Sequence, residues 1–309
     1  MRVFNLGSIN IDRVYTLDHL VAPGETETAD DFAVYPGGKG FNQTMALARA
    51  GAQVCLVGAI GSDGTWLLVP LREAGADTSR IATVGSTTGH AVIQVDREGR
   101  NSIVVLRGAN GRITPAHLAA GLSFAHPGDL FLTQNETACT EEAIRLAKEK
   151  KMVVALNPSP FDERILALPL DLVDIFLVNE GEAAALAGMR PGAEPGAALV
   201  ALRIKYRHAK FVLTLGDKGV ISSSPESPAP VTLPARKVEA VDTTAAGDTF
   251  TGYYLAALSR GLPEREALER ATAAAAISVT RRGAAPSVPD RREVDAYLRT
   301  GELPPPPAR

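Results

Sequence analysis

The segment Val241-Asp242-Thr243-Thr244-Ala245-Ala246-Gly247-Asp248-Thr249-Phe250 sets small residues and a carboxylate where a loop runs into a helix. From Thr249 to Leu258, apolar side chains recur with helical spacing at Phe250, Tyr254, Ala257 and Leu258. Ala245, Ala246 and Gly247 are small enough for their backbone N–H groups to close on a ligand. The helix N-terminus adds partial positive charge, so the loop suits an anion such as phosphate. A carboxylate beside bound phosphate suffers repulsion, and its placement there points to chemistry. Asp248 could take the proton from a hydroxyl that attacks phosphorus. The plainer alternative is a helix cap, a common role for aspartate.

A second segment is Pro36-Gly37-Gly38-Lys39-Gly40-Phe41-Asn42-Gln43, followed by a helical run through Arg49. Glycines around a lysine allow close backbone approach. Lys39 and Asn42 can both address a polar ligand. The spacing is not that of a Walker A loop. In this order and at this separation, the two segments resemble the ribokinase family of sugar kinases (ribokinase/PfkB carbohydrate kinases). Gly7-Ser8-Ile9-Asn10-Ile11-Asp12 and the run from Ala273 to Pro289 fit the same family, and the resemblance spans about Val3 to Leu298.

The elements that must position these residues follow from apolar runs. Strands are expected at Val3 to Gly7, Val54 to Ile60, Leu130 to Thr133, Met152 to Leu156, Ile175 to Val178 and Phe211 to Leu215. Helices are expected between them, including Glu141 to Lys150, Gly181 to Leu186 and one capped by Thr114-Pro115. Buried runs alternating with helices predict a mostly parallel sheet flanked by helices. Ligands then belong at the carboxyl ends of the strands, where Asn135-Glu136, Asn157, Asn179 and Gly216 fall. Asp12 to Tyr35 and His90 to Leu106 break this rhythm and read as a small β lid. The expected architecture is therefore an α/β, ribokinase-like three-layer sandwich. A single domain is expected over residues 1–300, with a lid at roughly 12–36 and 89–107 and a flexible Pro-rich tail at 301–309.

The resemblance implies roles. Asp248 would be the general base and Ala245, Ala246 and Gly247 the anion hole. Asn10, Asp12, Gly38, Lys39, Asn42 and Glu136 would bind the sugar. Asn179, Thr214, Gly216, Gly219, Gly247 and Thr272 would meet ATP, with Ala275 and Ala276 flanking its base. Glu182, in Asn179-Glu180-Gly181-Glu182, would act on Mg²⁺ through water. Asp242, Thr244, Ser278, Arg281, Gly283 and Ser287 match a K⁺ site, several through backbone carbonyls. The implied reaction is transfer of the γ-phosphate of ATP to the 5-hydroxyl of D-ribose. The alternatives are deoxyribose, fructose, pseudouridine or a non-catalytic sensor. Phe41, His90 and Gln134-Asn135 depart from the close pattern and bear on which sugar fits.

Composition bounds the rest. With 309 residues and 45% hydrophobic content, the chain can bury a large core. A net charge of -3 gives no reason to expect nucleic-acid or membrane partners. Cys55 and Cys139 are too few for a disulfide framework and are expected as buried free thiols. His19, His90, His117, His126 and His208 lack metal-ligand spacing with one another. No signal peptide or membrane span is expected, which predicts a cytoplasmic protein. Gly-x-Gly-x-x-Gly is missing after the first strand, which argues against a dinucleotide oxidoreductase. The expected partners are the sugar and ATP, and a second copy paired through the lid.

Overall fold

Val3–Leu6, Val54–Ile60 and Leu130–Thr133 are buried at every residue, as expected for strands covered by helices on both faces. A computed structural model describes residues 1–227 and 229–305. Its strands in chain order are β1 (Val3–Leu6), β2 (Asn10–Thr16), β3 (Asp31–Gly37), β4 (Val54–Ile60), β5 (Asp77–Thr83), β6 (Gly89–Val95), β7 (Asn101–Leu106), β8 (Leu130–Thr133), β9 (Val153–Leu156), β10 (Ile175–Asn179), β11 (Lys210–Thr214), β12 (Val220–Ser223) and β13 (Val231–Leu233). The α-helices are α1 (Lys39–Arg49), α2 (Leu68–Glu73), α3 (Pro115–Gly121), α4 (Thr140–Glu149), α5 (Glu180–Leu186), α6 (Pro195–Lys205), α7 (Ala246–Ser259), α8 (Glu264–Val279) and α9 (Arg291–Thr300).

The large sheet has the order β13-β12-β11-β10-β9-β8-β1-β4-β5. Its pairings are parallel from β11 to β5, and β12 and β13 close one edge antiparallel. From β1 the chain builds outward to β4 and β5, then returns to β8 and builds the other way. The reversal between β1 and β8 opens a crevice at their carboxyl ends, the usual ligand position in such sheets. Alternating side chains feed two cores. Phe4, Leu6, Phe131 and Phe176 pack under α3 to α6, and Val3, Leu56, Leu132 and Leu177 pack under α1, α7, α8 and α9.

The second sheet, β3-β2-β6-β7, is the small lid. The strands expected from apolar runs are present within a residue or two. β5, β12 and β13 are additions, since their short or polar sequences carry no apolar-run signal. Cys55 is buried, but Cys139, in a left-handed turn before α4 (φ 60°), is only half-buried, which corrects the expectation of two buried thiols. The tail expected at 301–309 lies outside the described residues from 306 on. Among the described residues no helix is long and apolar enough to cross a membrane.

Candidate active site

Gly7 follows β1 and touches the start of α1. A Cβ on Gly7 would stand 2.3 Å from Gly40 Cα, so only two glycines let this helix sit on the strand end. Gly38, at φ 88°, turns the chain into α1, and Phe41 N–H donates to Ser8 O at 2.9 Å. Glu136, just past β8, accepts from Lys39 N–H at 3.1 Å and from the Ser8 hydroxyl. Asn10 Oδ1 accepts from Asn110 Nδ2 at 2.8 Å. Asp12 lies against Gly37, where a Cβ would meet its carboxylate. Burial, and secondly the charge of Glu136, push Asp12 up to about 7. Asn10, Asp12, Gly38, Lys39, Asn42 and Glu136 thus gather around the β1–β8 crevice. Asn110, which orients Asn10, carried no recognisable signal, and Ser8, which bonds Glu136, was legible only as part of the run Gly7 to Asp12.

Asp248 is the third residue of α7 and is 7% exposed. It caps nothing: the start of α7 has no side-chain cap. Instead Oδ2 accepts from Asn42 Nδ2 at 3.1 Å and Oδ1 from Gln43 Nε2 at 2.8 Å. The capping alternative is thereby excluded. Ala245 precedes it in the left-handed region (φ 59°), costly for a residue with a Cβ. That turn starts α7 beside Ala246 and Gly247.

Two adjoining cavities meet at this loop. One, of about 230 Å³, is lined by Lys39, Asn179, Glu182 and Ala245 to Asp248. The other, of about 520 Å³, is lined by Thr214, Gly216, Gly219, Gly247, Thr272, Ala275 and Ala276. Lys39 therefore lines the cavity beside Ala245 to Gly247 and also stands against Glu136. Burial works against its charge, but Asp248, Glu136 and Glu182 outweigh that and raise it. Gly216 and Gly219 turn through positive φ (57° and 110°) between β11 and β12. Thr272 Oγ1 is buried with no hydrogen-bond partner. Asn179 and Glu182 do form an ordinary helix cap: Glu182 N–H donates to Asn179 Oδ1 at 2.8 Å, and Asn179 N–H to Glu182 Oε2 at 3.0 Å. Glu182 still lines the smaller cavity, and burial raises its carboxyl.

Asp242 bridges the two candidate cation loops, accepting from Thr244 N–H and Gly283 N–H, both at 2.9 Å. The Ser278 and Ser287 hydroxyls turn back to Ala275 O and Ala284 O. The Arg281 side chain pairs with Glu293 at 2.5 Å, leaving only its carbonyl for a cation.

The residues expected to tune the sugar do not stand with Asp12 and Glu136. Phe41 is wholly buried in the core under α1. His90 pairs with Ile11, whereas Asp12 pairs with Ala91, so His90 lies on the opposite face of the lid. Gln134 is buried in a chain of amides, and Asn135 donates to Pro160 O and Asp162. Outside this region, His19, Glu25 and Glu27 bring ligand atoms within 4.8 Å of one another on the loop after β2. Glu25 raises the half-buried His19 by hydrogen bond and charge.

Residues 2–291 match the family described as pfkB family carbohydrate kinase. The chain belongs to this family, whose members are phosphotransferases with an alcohol group as acceptor. It is 39% identical over 300 residues to the ribokinase of Haemophilus influenzae, covering 95% of this chain and 97% of that one. It is 36% identical to the ribokinase of Bacillus subtilis, over 95% of this chain and 98% of that one. Its fold is similar to a ribokinase from Cryptococcus neoformans in complex with ADP, at TM-score 0.85 and 35% identity, over 96% and 99% of the two chains. It is also similar to Arabidopsis thaliana ribokinase complexed with ribose and ATP, at TM-score 0.83 and 28% identity, over 96% and 98%.

Proposed function

We propose that the protein phosphorylates the 5-hydroxyl of D-ribose with ATP, using Asp248 as the base. The observation that carries this reading is the Asp248 carboxylate: buried, bonded to Asn42 and Gln43, and free of any capping role at the mouth of the anion loop. The ribokinase relatives support ribose as the acceptor, and the internal orientation of Phe41 and Gln134 removes two reasons to expect another sugar.

In this mechanism the sugar lies between Asp12, Asn10, Asn42 and Glu136, whose polar groups read its hydroxyls. Several neighbouring hydroxyls match such a set, and a sugar lacking one leaves a buried group unpaired. The nucleotide occupies the larger cavity with its phosphates toward Gly247. Asp248 accepts the proton as the sugar oxygen attacks phosphorus. The N–H groups at the start of α7 and the Lys39 ammonium stabilise the charge on the transferring group. Mg²⁺ fits the smaller cavity through Glu182, by way of water, and when bound would neutralise charge on the phosphates. K⁺ fits beside the anion loop, where carbonyls near Ser278, Arg281, Gly283 and Ser287 would supply neutral oxygens. Asp242 and Thr244 would hold the two loops together.

We further read residues 1–300 as one kinase unit that pairs with a second copy through its lid. Ile103, Val104, Val105 and Leu106 are consecutive and all exposed, as are Phe32, Val34 and Tyr35 on β3.

The deciding experiment is ADP release from Mg-ATP with ribose, deoxyribose, fructose, pseudouridine and adenosine, each with and without K⁺. Turnover on ribose, higher in K⁺ than in a large inert cation, is expected. Turnover only on another acceptor would move the specificity, and silence on all five would refute the reading. Equal rates in the two cations would remove K⁺.

A further inference from the structure

The buried amides behind Asp248 form a hydrogen-bond chain of one polarity. An ionised carboxylate only accepts, so Gln43 presents Nε2 to Asp248 Oδ1 at 2.8 Å, and the same nitrogen donates to Asn157 Oδ1 at 2.9 Å. Gln43 Oε1 is thereby turned to Gln134, whose Nε2 donates to it at 2.7 Å and to Asn5 Oδ1 at 2.9 Å. Asn5 closes the chain, donating from Nδ2 to Gly40 O at 3.0 Å and Thr44 Oγ1 at 2.9 Å. Asn5 and Gln43 are fully buried and Gln134 is 1% exposed. Reversing any one amide would set oxygen against oxygen or nitrogen against nitrogen where no water can compensate. Gln134 Oε1 is left without a partner, so the fold bears an unpaired acceptor while both hydrogens of that amide stay on the chain.

We propose that Gln43, locked by Gln134 and Asn5, is a positioning residue that fixes the plane of the Asp248 carboxylate for the attacking hydroxyl. This rests on Asp248 being the base. Helix α1 thus carries two amides to the base, Asn42 on one oxygen and Gln43 on the other. The strand-end residues Asn5 and Gln134 set the direction of the second amide from behind. A base held in one orientation meets the sugar oxygen in the reactive geometry each cycle.

The test is a kinetic double-mutant cycle on the full-length protein. Gln43→Met keeps the shape and removes the donor. It should lower kcat about 10- to 100-fold, the usual scale of a hydrogen bond to a charged group, with both KM values within about twofold. Gln134→Met never touches Asp248 and should lower kcat by a smaller factor in the same way. In an Asp248→Asn background neither change should cost anything more. If Asp248→Asn itself keeps near wild-type rate, the base assignment fails, and the positioning role with it. If Asp248→Asn is slow but the glutamine changes act additively with it, or act on KM and melting temperature alone, Gln43 is a packing residue and the proposal is overturned. Should Gln43→Met fail to fold, Gln134→Met carries the same cycle.

Discussion

The Asp248 carboxylate has two side-chain amides on it and no backbone partner at the start of α7. A carboxylate so held is not serving the helix start, which fits the proposed role of base. Asp248→Asn should therefore lower turnover by about 10²–10⁴, the usual share of a general base, with a folded protein and unchanged ATP affinity; ADP release and nucleotide titration read both. Asp12 makes a pH prediction. Burial first, and Glu136 second, raise it to about 7. Its folded value exceeds its unfolded one, so the folded state favours the proton, and stability falls as pH rises from about 4 to about 7. Asp12→Asn should remove that loss, and unfolding curves across the range test it. If the ionised carboxylate accepts from the sugar, the sugar KM should rise below pH 7 by up to about tenfold per unit, and Asp12→Asn should flatten the profile. A flat wild-type profile would exclude ionisation of Asp12 as what controls sugar binding.

At the scale of elements, the site depends on how closely two helices and a strand approach. Helix α1 lies on the end of β1 only because Gly7 and Gly40 touch. It meets α7 just as closely: a Cβ on Gly252 would stand 2.4 Å from Ala46 Cβ and 2.9 Å from Leu47 N. Gly252 is mid-helix, where alanine would favour the helix itself by about 1 kcal/mol. The clash should win. Gly252→Ala should destabilise by roughly 1–3 kcal/mol and lower kcat by moving Asn42 and Gln43 away from Asp248. Denaturant unfolding checks the first effect. A stabilised variant would show that the helices can separate freely. This dependence was only partly legible in the sequence. The Gly38-Lys39-Gly40 run announced a close approach, but nothing in it named Gly252 as the residue on the other side. Helical periodicity reports which residues are buried, not what they meet.

For the whole molecule, the order in which strands are added reverses between the parallel β1 and β8, and the lid sheet returns over the same place. On the lid's open face Val104, at 69% exposure, stands with exposed Leu106, and the register puts exposed Phe32 and Val34 on that same face, while Ile103 and Val105 lie on the other. In a second copy the same face is available, and pairing the two would cover both. Sedimentation should find a dimer, and Val104→Asp should shift it to monomer. The change in monomer stability should stay within about 0.5 kcal/mol, because an exposed side chain has little packing to lose. A monomeric wild type at micromolar concentration would end this reading.

The amino-acid sequence by itself determined β1, β4, β8, β9, β10 and β11 of the large sheet, the existence of a β lid, the small-residue turn into α7 and Asp248 as the candidate base. Each of these is written in neighbouring residues: apolar runs, turn glycines, and a carboxylate after small residues. Tertiary structure alone decided that Asp248 is not a cap, that Phe41 is in the core and His90 on the lid face opposite Asp12, that the Arg281 side chain belongs to Glu293, and that Gln134 stands behind Gln43. Gln43 and Asp248 are 205 positions apart, and Gln43 and Gln134 are 91 apart. A local pattern fixes backbone conformation and burial. The partner of a buried polar group is fixed by which strands and helices pack together, and that depends on the whole core.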